Sequence, residues 1–168
     1  AESAGAREVY LIEETMAAAL GAKMDSVLNS RGGMIVDIGG GTTGISVISL
    51  GGLVVSRSIK TAGDSMNQAI ILYVKNNHGL LIGENMAESV KKTIADVTDT
   101  PNESLKMSIR GRSLESGLPE SLQLTSLDVK RALDESVIDI INTVVETLDE
   151  TPPELSGDIM VDGIVLAG

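Results

Sequence analysis

Apolar positions along the chain fall into two kinds of run. Short continuous runs bounded by glycines or acids predict strands at 9–12 (VYLI), 34–38 (MIVDI), 45–50 (ISVISL), 53–59 (LVVSRSI) and 164–166 (IVL). Runs spaced by three and four predict helices. The clearest joins Val129, Leu133, Val137, Ile140, Ile141, Val144, Val145 and Leu148 and stops at Thr151-Pro152-Pro153. Its start, Thr125-Ser126-Leu127-Asp128, reads as a capping box, with Leu124 and Val129 placed as a hydrophobic staple. Met66, Ala69, Ile70, Tyr73 and Val74 line a helix that opens at Gly63-Asp64, where Asp64 suits an N-cap. Ala87, Val90 and Ile94 face inward on a helix over 84–97. Residues 16–20 (MAAAL) are strong helix formers after Glu13-Glu14. Weak alternation over 105–112 and 121–124, around Gly117-Leu118-Pro119, predicts a small hairpin. Residues 23–33 read as a surface loop, and a short helix is expected from Glu154. There is no internal repeat.

The rest is organised around residues 34–50. An apolar run ends in Asp37; three glycines, Gly39, Gly40 and Gly41, precede Thr42 and Thr43; a second apolar run follows. This is strand, tight glycine turn, strand. Glycine accepts positive φ and lets a ligand approach the backbone. Successive N–H groups in such a turn form an anion-binding concavity. Asp37 stands at its mouth, suited to hold Mg²⁺ through water. The functional expectation is a phosphate hairpin for a nucleotide; the plain alternative is a glycine-rich β-hairpin. It is neither a Walker loop nor a dinucleotide fingerprint, since no Lys follows and Ile45, Val47 and Ile48 continue as a strand.

Composition narrows the partners. A chain of 168 residues fits one domain or one lobe of a larger protein. Tyr10 and Tyr73 are its only aromatics, so the core must be aliphatic and no stacking platform for single-stranded nucleic acid exists. A net charge of −11 opposes nucleic acid and anionic membranes. It does not oppose ATP, because a local nest and Mg²⁺ override global charge. The absence of cysteine removes disulfides and thiolate zinc sites and is compatible with a cytoplasmic chain. His78, the only histidine, has no second His or Cys for a metal and suits a helix end. No apolar run reaches 18 residues. Both ends read as cut, in AESAGA and in GIVLAG.

Several residues carry two readings. Glu13 and Glu14 suit a helix dipole by default; the alternative is a carboxylate that orients water beside a phosphate. Glu88, Lys91 and Lys92 have the spacing of a solvated salt bridge. Arg110 and Arg112 form a local basic spot, read as solvated.

The segments ESAGA, VYLIEETMAAALGA, MIVDIGGGTTGISVISLGG, the helix after Ala62-Gly63-Asp64, LLIGENMAESVKKTIA, RGRSLESGLP, ETLDETPPEL and GIVLAG occur in that order. Together they resemble the actin-like ATPase superfamily, and within it the bacterial MreB family of rod shape-determining proteins. The resemblance runs nearly end to end. It implies an α/β, actin-like (ribonuclease H-like) lobe over 1–78 and 125–168. A mixed sheet flanked by helices would form that lobe, with a small α+β insert over 79–124. The match corresponds to the second half of such a protein; the other lobe would precede Ala1, and the adenosine loop would continue past Gly168.

The resemblance also implies roles. Gly39, Gly40, Gly41, Thr42 and Thr43 would wrap the β- and γ-phosphates of ATP, with Mg²⁺ held through water by Asp37. Glu14 and Thr42 would position the attacking water. Glu88 and Lys91 would contact ribose and adenine, as in related heat-shock chaperone ATPases, and Gly168 would begin the adenine loop. The parent would be an ATPase and the segment alone inactive. Expected partners are further copies in a filament and a RodZ-type membrane protein. The segment itself is expected to touch neither nucleic acid nor membrane, and to be cytoplasmic, membrane-associated only as part of the whole. Three positions depart from the family pattern. Thr15 stands at a usual proline, Gly44 at a usual acid, and Lys92-Thr93 at a more apolar-acidic pair. Gly44 removes a charge near the phosphates. It keeps alive a polymer scaffold that binds nucleotide without hydrolysing it; a chaperone or small-molecule kinase of the superfamily is the third reading.

Overall fold

The computed structural model describes residues 1–102 and 104–168, and of Asp25 the backbone alone. Glu103, inside the expected insert, lies outside the described residues. In chain order the elements are α1 (Glu14–Gly21), β1 (Gly33–Ile38), β2 (Thr43–Ser49), β3 (Gly52–Ile59), α2 (Gly63–His78), β4 (Leu80–Leu81) and α3 (Glu84–Ile94). There follow β5 (Lys106–Ser113), β6 (Pro119–Thr125), α4 (Ser126–Asp149), α5 (Pro153–Asp162) and β7 (Ile164–Ala167). They form two compact units. Unit 1 holds Ala1–Ile38, Gly44–Ser58 and Thr143–Gly168; unit 2 holds Gly39–Thr43 and Ile59–Asn142.

Unit 1 is built on a four-stranded sheet of order β3-β2-β1-β7. β1 and β7 run parallel, with Met34 opposite Ile164 and Asp37 opposite Ala167. Met34, Ile35 and Val36 are buried in succession, the pattern of a central strand covered on both faces. Ala19 of α1 packs on Ile35 and Ile48, with Met16, Leu53 and Val165 around them. Gly32 is pressed against α5: a Cβ there would lie 2.7 Å from Leu155 Cβ. The end of α4 carries a polar stripe at a spacing of four. Thr147 Oγ1 donates to the Thr143 carbonyl and Thr151 Oγ1 to the Thr147 carbonyl, both at 2.7 Å. These bonds let buried threonines sit along the end of α4 and just past it without orphaned hydroxyls.

Residues 9–12 correct the expectation of a fifth strand: the segment is irregular, and Tyr10 and Leu11 are 83% and 99% exposed. An apolar run becomes a strand only where a neighbour supplies the ladder. Among the described residues no strand of the β3-β2-β1-β7 sheet pairs with 9–12.

Unit 2 holds an antiparallel sheet of order β4-β5-β6. Its core is aliphatic: Ile70 and Val74 from α2, Val90 and Ile94 from α3, Ile109 and Leu124 from the sheet, Val129 and Leu133 from α4. The short β4, not foreseen, pairs Leu80 with Ser113 and Leu81 with Arg112. Gly111 lies against the Leu81 carbonyl, where a side chain has no room. α3 stops at Ile94 rather than 97 because Asp96 takes the backbone away from helix. Its carboxylate accepts from Thr98 N at 3.1 Å and from Asn102 N at 2.9 Å.

α4 opens on the expected capping box. Thr125 N donates to Asp128 Oδ2 at 3.0 Å, and Asp128 N donates to Thr125 Oγ1 at 3.2 Å. Tyr73 adds a hydrogen bond to Asp128 Oδ1 at 3.2 Å. Burial pushes this carboxyl up, but the hydrogen bonds from Thr125 and Tyr73 outweigh it and hold it below the usual carboxylate value. The stabilisation is therefore present above the ordinary carboxylate pKa and lost as pH falls through the lowered one. Asp128→Ala should cost about 1 kcal/mol at neutral pH, by analogy with cap deletions. Thermal melts against pH check it: the wild-type advantage should vanish at the acid end.

Candidate nucleotide-binding site

Unit 2 gathers the glycine turn onto the start of α2. Gly63 N donates to the Gly39 carbonyl at 3.0 Å and Asp64 N to the Gly40 carbonyl at 2.8 Å. Thr43 Oγ1 donates to the Thr61 carbonyl at 2.7 Å, and Gly39 N closes the turn on the Thr42 carbonyl at 3.0 Å. The turn's first two carbonyls are thus occupied by amides of the first turn of α2, which lack intrahelical acceptors. Among the described residues the amides of Gly40, Gly41 and Thr42 have no hydrogen-bond partner. Gly40, Gly41 and Thr42 are exposed, Gly39 is half-buried and Thr43 is buried. Carbonyls tied down and three successive amides unpaired make a cradle for an anion.

Of the two uses expected of the glycines, positive φ is not made. Neither Gly39, Gly40 nor Gly41 has positive φ. Only Gly39 is crowded by the chain itself, a Cβ there lying 3.1 Å from the Thr42 carbonyl; one on Gly40 would lie at ordinary contact, 3.7 Å from the Asp64 carboxylate, and one on Gly41 in open space. Gly63 is crowded as well. A Cβ there would lie 3.2 Å from the Gly39 carbonyl and 3.3 Å from Lys91 Nζ.

Lys91 leaves the salt bridge that its spacing suggested. Its Nζ donates to the Gly63 carbonyl at 2.7 Å, and burial lowers its pKa. Glu88 pairs instead with Lys92 at 2.6 Å, a hydrogen bond that lowers its pKa. Asp64 corrects the N-cap expectation. The cap is Ala62, where Ser65 Oγ accepts from Ala62 N at 2.9 Å and donates to the Ala62 carbonyl at 2.8 Å. Asp64 is freed to stand beside Gly40, an acid at the turn that sequence reasoning assigned elsewhere.

Unit 1 brings Asp37 and Gly168 to one end of the parallel pair. Asp37 is half-buried opposite Ala167, and Gly168 follows with φ of 120° against the Ile38 backbone. Only glycine fits there. Ligands of open α/β sheets collect at such carboxyl ends of strands. Glu14, the first residue of α1, is exposed, and among the described residues its carboxylate has no ion pair or hydrogen bond. Thr15 and Gly44, noted separately in the sequence, are in contact: a Cβ on Gly44 would lie 2.6 Å from Thr15 Cγ2.

The fold is that of an actin-like lobe. MreB5 of Spiroplasma citri bound to AMPPNP superposes with a TM-score of 0.93 at 41% identity, covering 98% of this chain and 49% of that one. The MamK double helical filament gives 0.68 at 27%, covering 91% and 45%. The chain belongs to the MreB/Mbl protein family, whose profile matches residues 1–168. It is 47% identical to the cell shape-determining protein Mbl of Bacillus subtilis, across 100% of this chain and 50% of that protein. It is 46% identical to the cell shape-determining protein MreB of Escherichia coli, across 100% and 48%. The chain thus spans about half the length of these relatives. No described helix is long and apolar enough to cross a membrane.

Proposed function

We propose that residues 1–168 form the nucleotide-binding lobe of a cell shape-determining, actin-like filament protein. Its Gly39–Thr43 turn grips the β- and γ-phosphates of Mg-ATP. The observation that carries this reading is the turn itself: its carbonyls held by α2, its three following amides unpaired. The AMPPNP and ADP complexes of MreB5 support it. In this reading Asp37 holds Mg²⁺ through water, Thr42 and Glu14 position the attacking water, Glu88 and Lys91 lie toward ribose and adenine, and Gly168 begins the adenine loop. Among the described residues no three acids or histidines gather as a metal cage. A single half-buried carboxylate, Asp37, suits Mg²⁺, which keeps its waters and binds through one or two carboxylates and substrate phosphates. When bound, the ion neutralises developing charge on the phosphates. We also propose that 79–124 is an insert on a lobe made by 1–78 and 125–168. Self-association follows the filament-forming relatives, and a RodZ-type membrane partner follows the family resemblance.

The test is ATP titration, turnover and filament formation on the full-length gene product. Binding, turnover and filaments together are expected. Filaments and binding without turnover would select the scaffold reading, for which Gly44 in place of an acid is the favouring feature. Absence of binding sinks the proposal. Within the turn, Gly63→Ala should weaken nucleotide affinity about tenfold, or about 1.4 kcal/mol. The added methyl must push the Gly39 carbonyl or the Lys91 ammonium aside. An affinity equal to wild type, with a normal melting curve, would remove α2 from the site.

A further inference from the structure

We propose that Thr15 is a positioning residue for Glu14. Through a chain of hydroxyls it fixes the first turn of α1, and Gly44 is glycine because Thr15 fills the space a side chain would take. The proposal rests on the reading of Glu14 as the group that orients water. It starts from a missing restraint: Glu13, at the N-cap of α1, makes no side-chain cap hydrogen bond. A helix of eight residues with an uncapped start frays there unless something else holds it. Thr15 is the buried residue of that first turn, 7% exposed, and it follows Glu14 directly.

Two contacts hold Thr15. Its Oγ1 lies 2.7 Å from Ser46 Oγ, which is fully buried in β2, and Ser46 Oγ lies 2.9 Å from Ser56 Oγ in β3. Three hydroxyls on α1, β2 and β3 thus form one chain, each able to donate once and accept. Its Cγ2 rests against Gly44, so close that any Cβ at that position would be driven into it. A threonine in a helix divides between two χ1 rotamers. The Ser46 hydrogen bond and the bare Gly44 backbone together select one of them. The α1 start, and the carboxylate it carries, is set from below by Thr15 rather than from outside by a cap.

The experiment is a double-mutant cycle on the full-length gene product with Gly44→Ala, Thr15→Ser and the double variant. Single-turnover ATP hydrolysis and affinity for a non-hydrolysable ATP analogue are read, with melting curves to confirm folding. Gly44→Ala should slow hydrolysis about tenfold or more, because a displaced water-orienting group costs rate steeply. Its analogue affinity should stay within about twofold. Thr15→Ser keeps the hydroxyl and removes the clashing methyl, so in the Gly44→Ala background it should restore the rate to within about threefold of wild type. Thr15→Val keeps the shape and removes the hydroxyl; it should slow hydrolysis with affinity unchanged, and it decides the matter if Gly44→Ala does not fold. Wild-type rates in Gly44→Ala and Thr15→Val, a double variant no faster than Gly44→Ala, or affinity falling in step with rate would each overturn the proposal. A wild-type protein that binds ATP but does not hydrolyse it overturns the water-orienting role of Glu14, and the proposal with it. Failed rescue in an active protein overturns the positioning role alone.

Discussion

Glu14→Ala should slow ATP hydrolysis by the full-length gene product about a hundredfold, or about 2.7 kcal/mol of barrier, while nucleotide affinity stays within about twofold. The two readings of this residue differ in size as well as kind. As an acid at a helix start, Glu14 contributes about 0.3–1 kcal/mol to stability and nothing to rate. As a carboxylate that orients water, it acts in the transition state and leaves bound ATP nearly untouched. Phosphoryl transfer to water asks the protein for positioning and charge stabilisation more than for covalent chemistry, so one misplaced acceptor is felt in full. The side chain is free for this work: it is exposed and, among the described residues, without an ion pair or hydrogen bond. Glu14→Gln should fall between the two, keeping an acceptor for water and losing the charge. Single-turnover hydrolysis and analogue titration separate the outcomes. A small drop in melting temperature with an unchanged rate returns Glu14 to the helix dipole.

Much of the fold was legible because its signals are local. Four of the five expected strands form the sheet of unit 1, and the 3-4 stripe from Val129 to Leu148 is α4. The capping box at Thr125 and Asp128 is present with both its hydrogen bonds. What sequence reasoning missed depends on partners distant in the chain. The run 9–12 has the pattern of a strand, but pairing is not written in a segment's own residues. β4 is two residues long, too short for a period. At the site, composition located the turn correctly and misjudged its mechanics. The glycines do not take positive φ, and the restraint on the turn comes from α2, many residues later. Lys91 sits at salt-bridge spacing from Glu88, yet its ammonium finds the Gly63 carbonyl, 28 residues away, a preference set by tertiary packing. Thr15 and Gly44 were each visible as departures from a pattern. That they are one feature required their contact.

Asp37→Asn should weaken ATP binding about tenfold or more in the presence of Mg²⁺, about 1.4 kcal/mol, and raise affinity in EDTA slightly. Asp37 is half-buried at the carboxyl end of β1, two residues before Gly39, and among the described residues it has no ion pair. An unpaired carboxylate in a chain of net charge −11 repels a polyphosphate unless a cation stands between them. In the proposed reading Mg²⁺ takes that place, since it accepts one carboxylate through its water shell and takes phosphate oxygens directly. Removing the charge while keeping the shape removes both the attraction for the cation and the repulsion of bare phosphate. The variant therefore loses Mg²⁺ dependence rather than all binding. A residue serving only the sheet would lower melting temperature and affect both titrations alike. Equal affinity for wild type and Asp37→Asn at saturating Mg²⁺ would show that the ion, if bound, is held by groups other than Asp37. The phosphate turn would then have to hold the nucleotide on its amides alone.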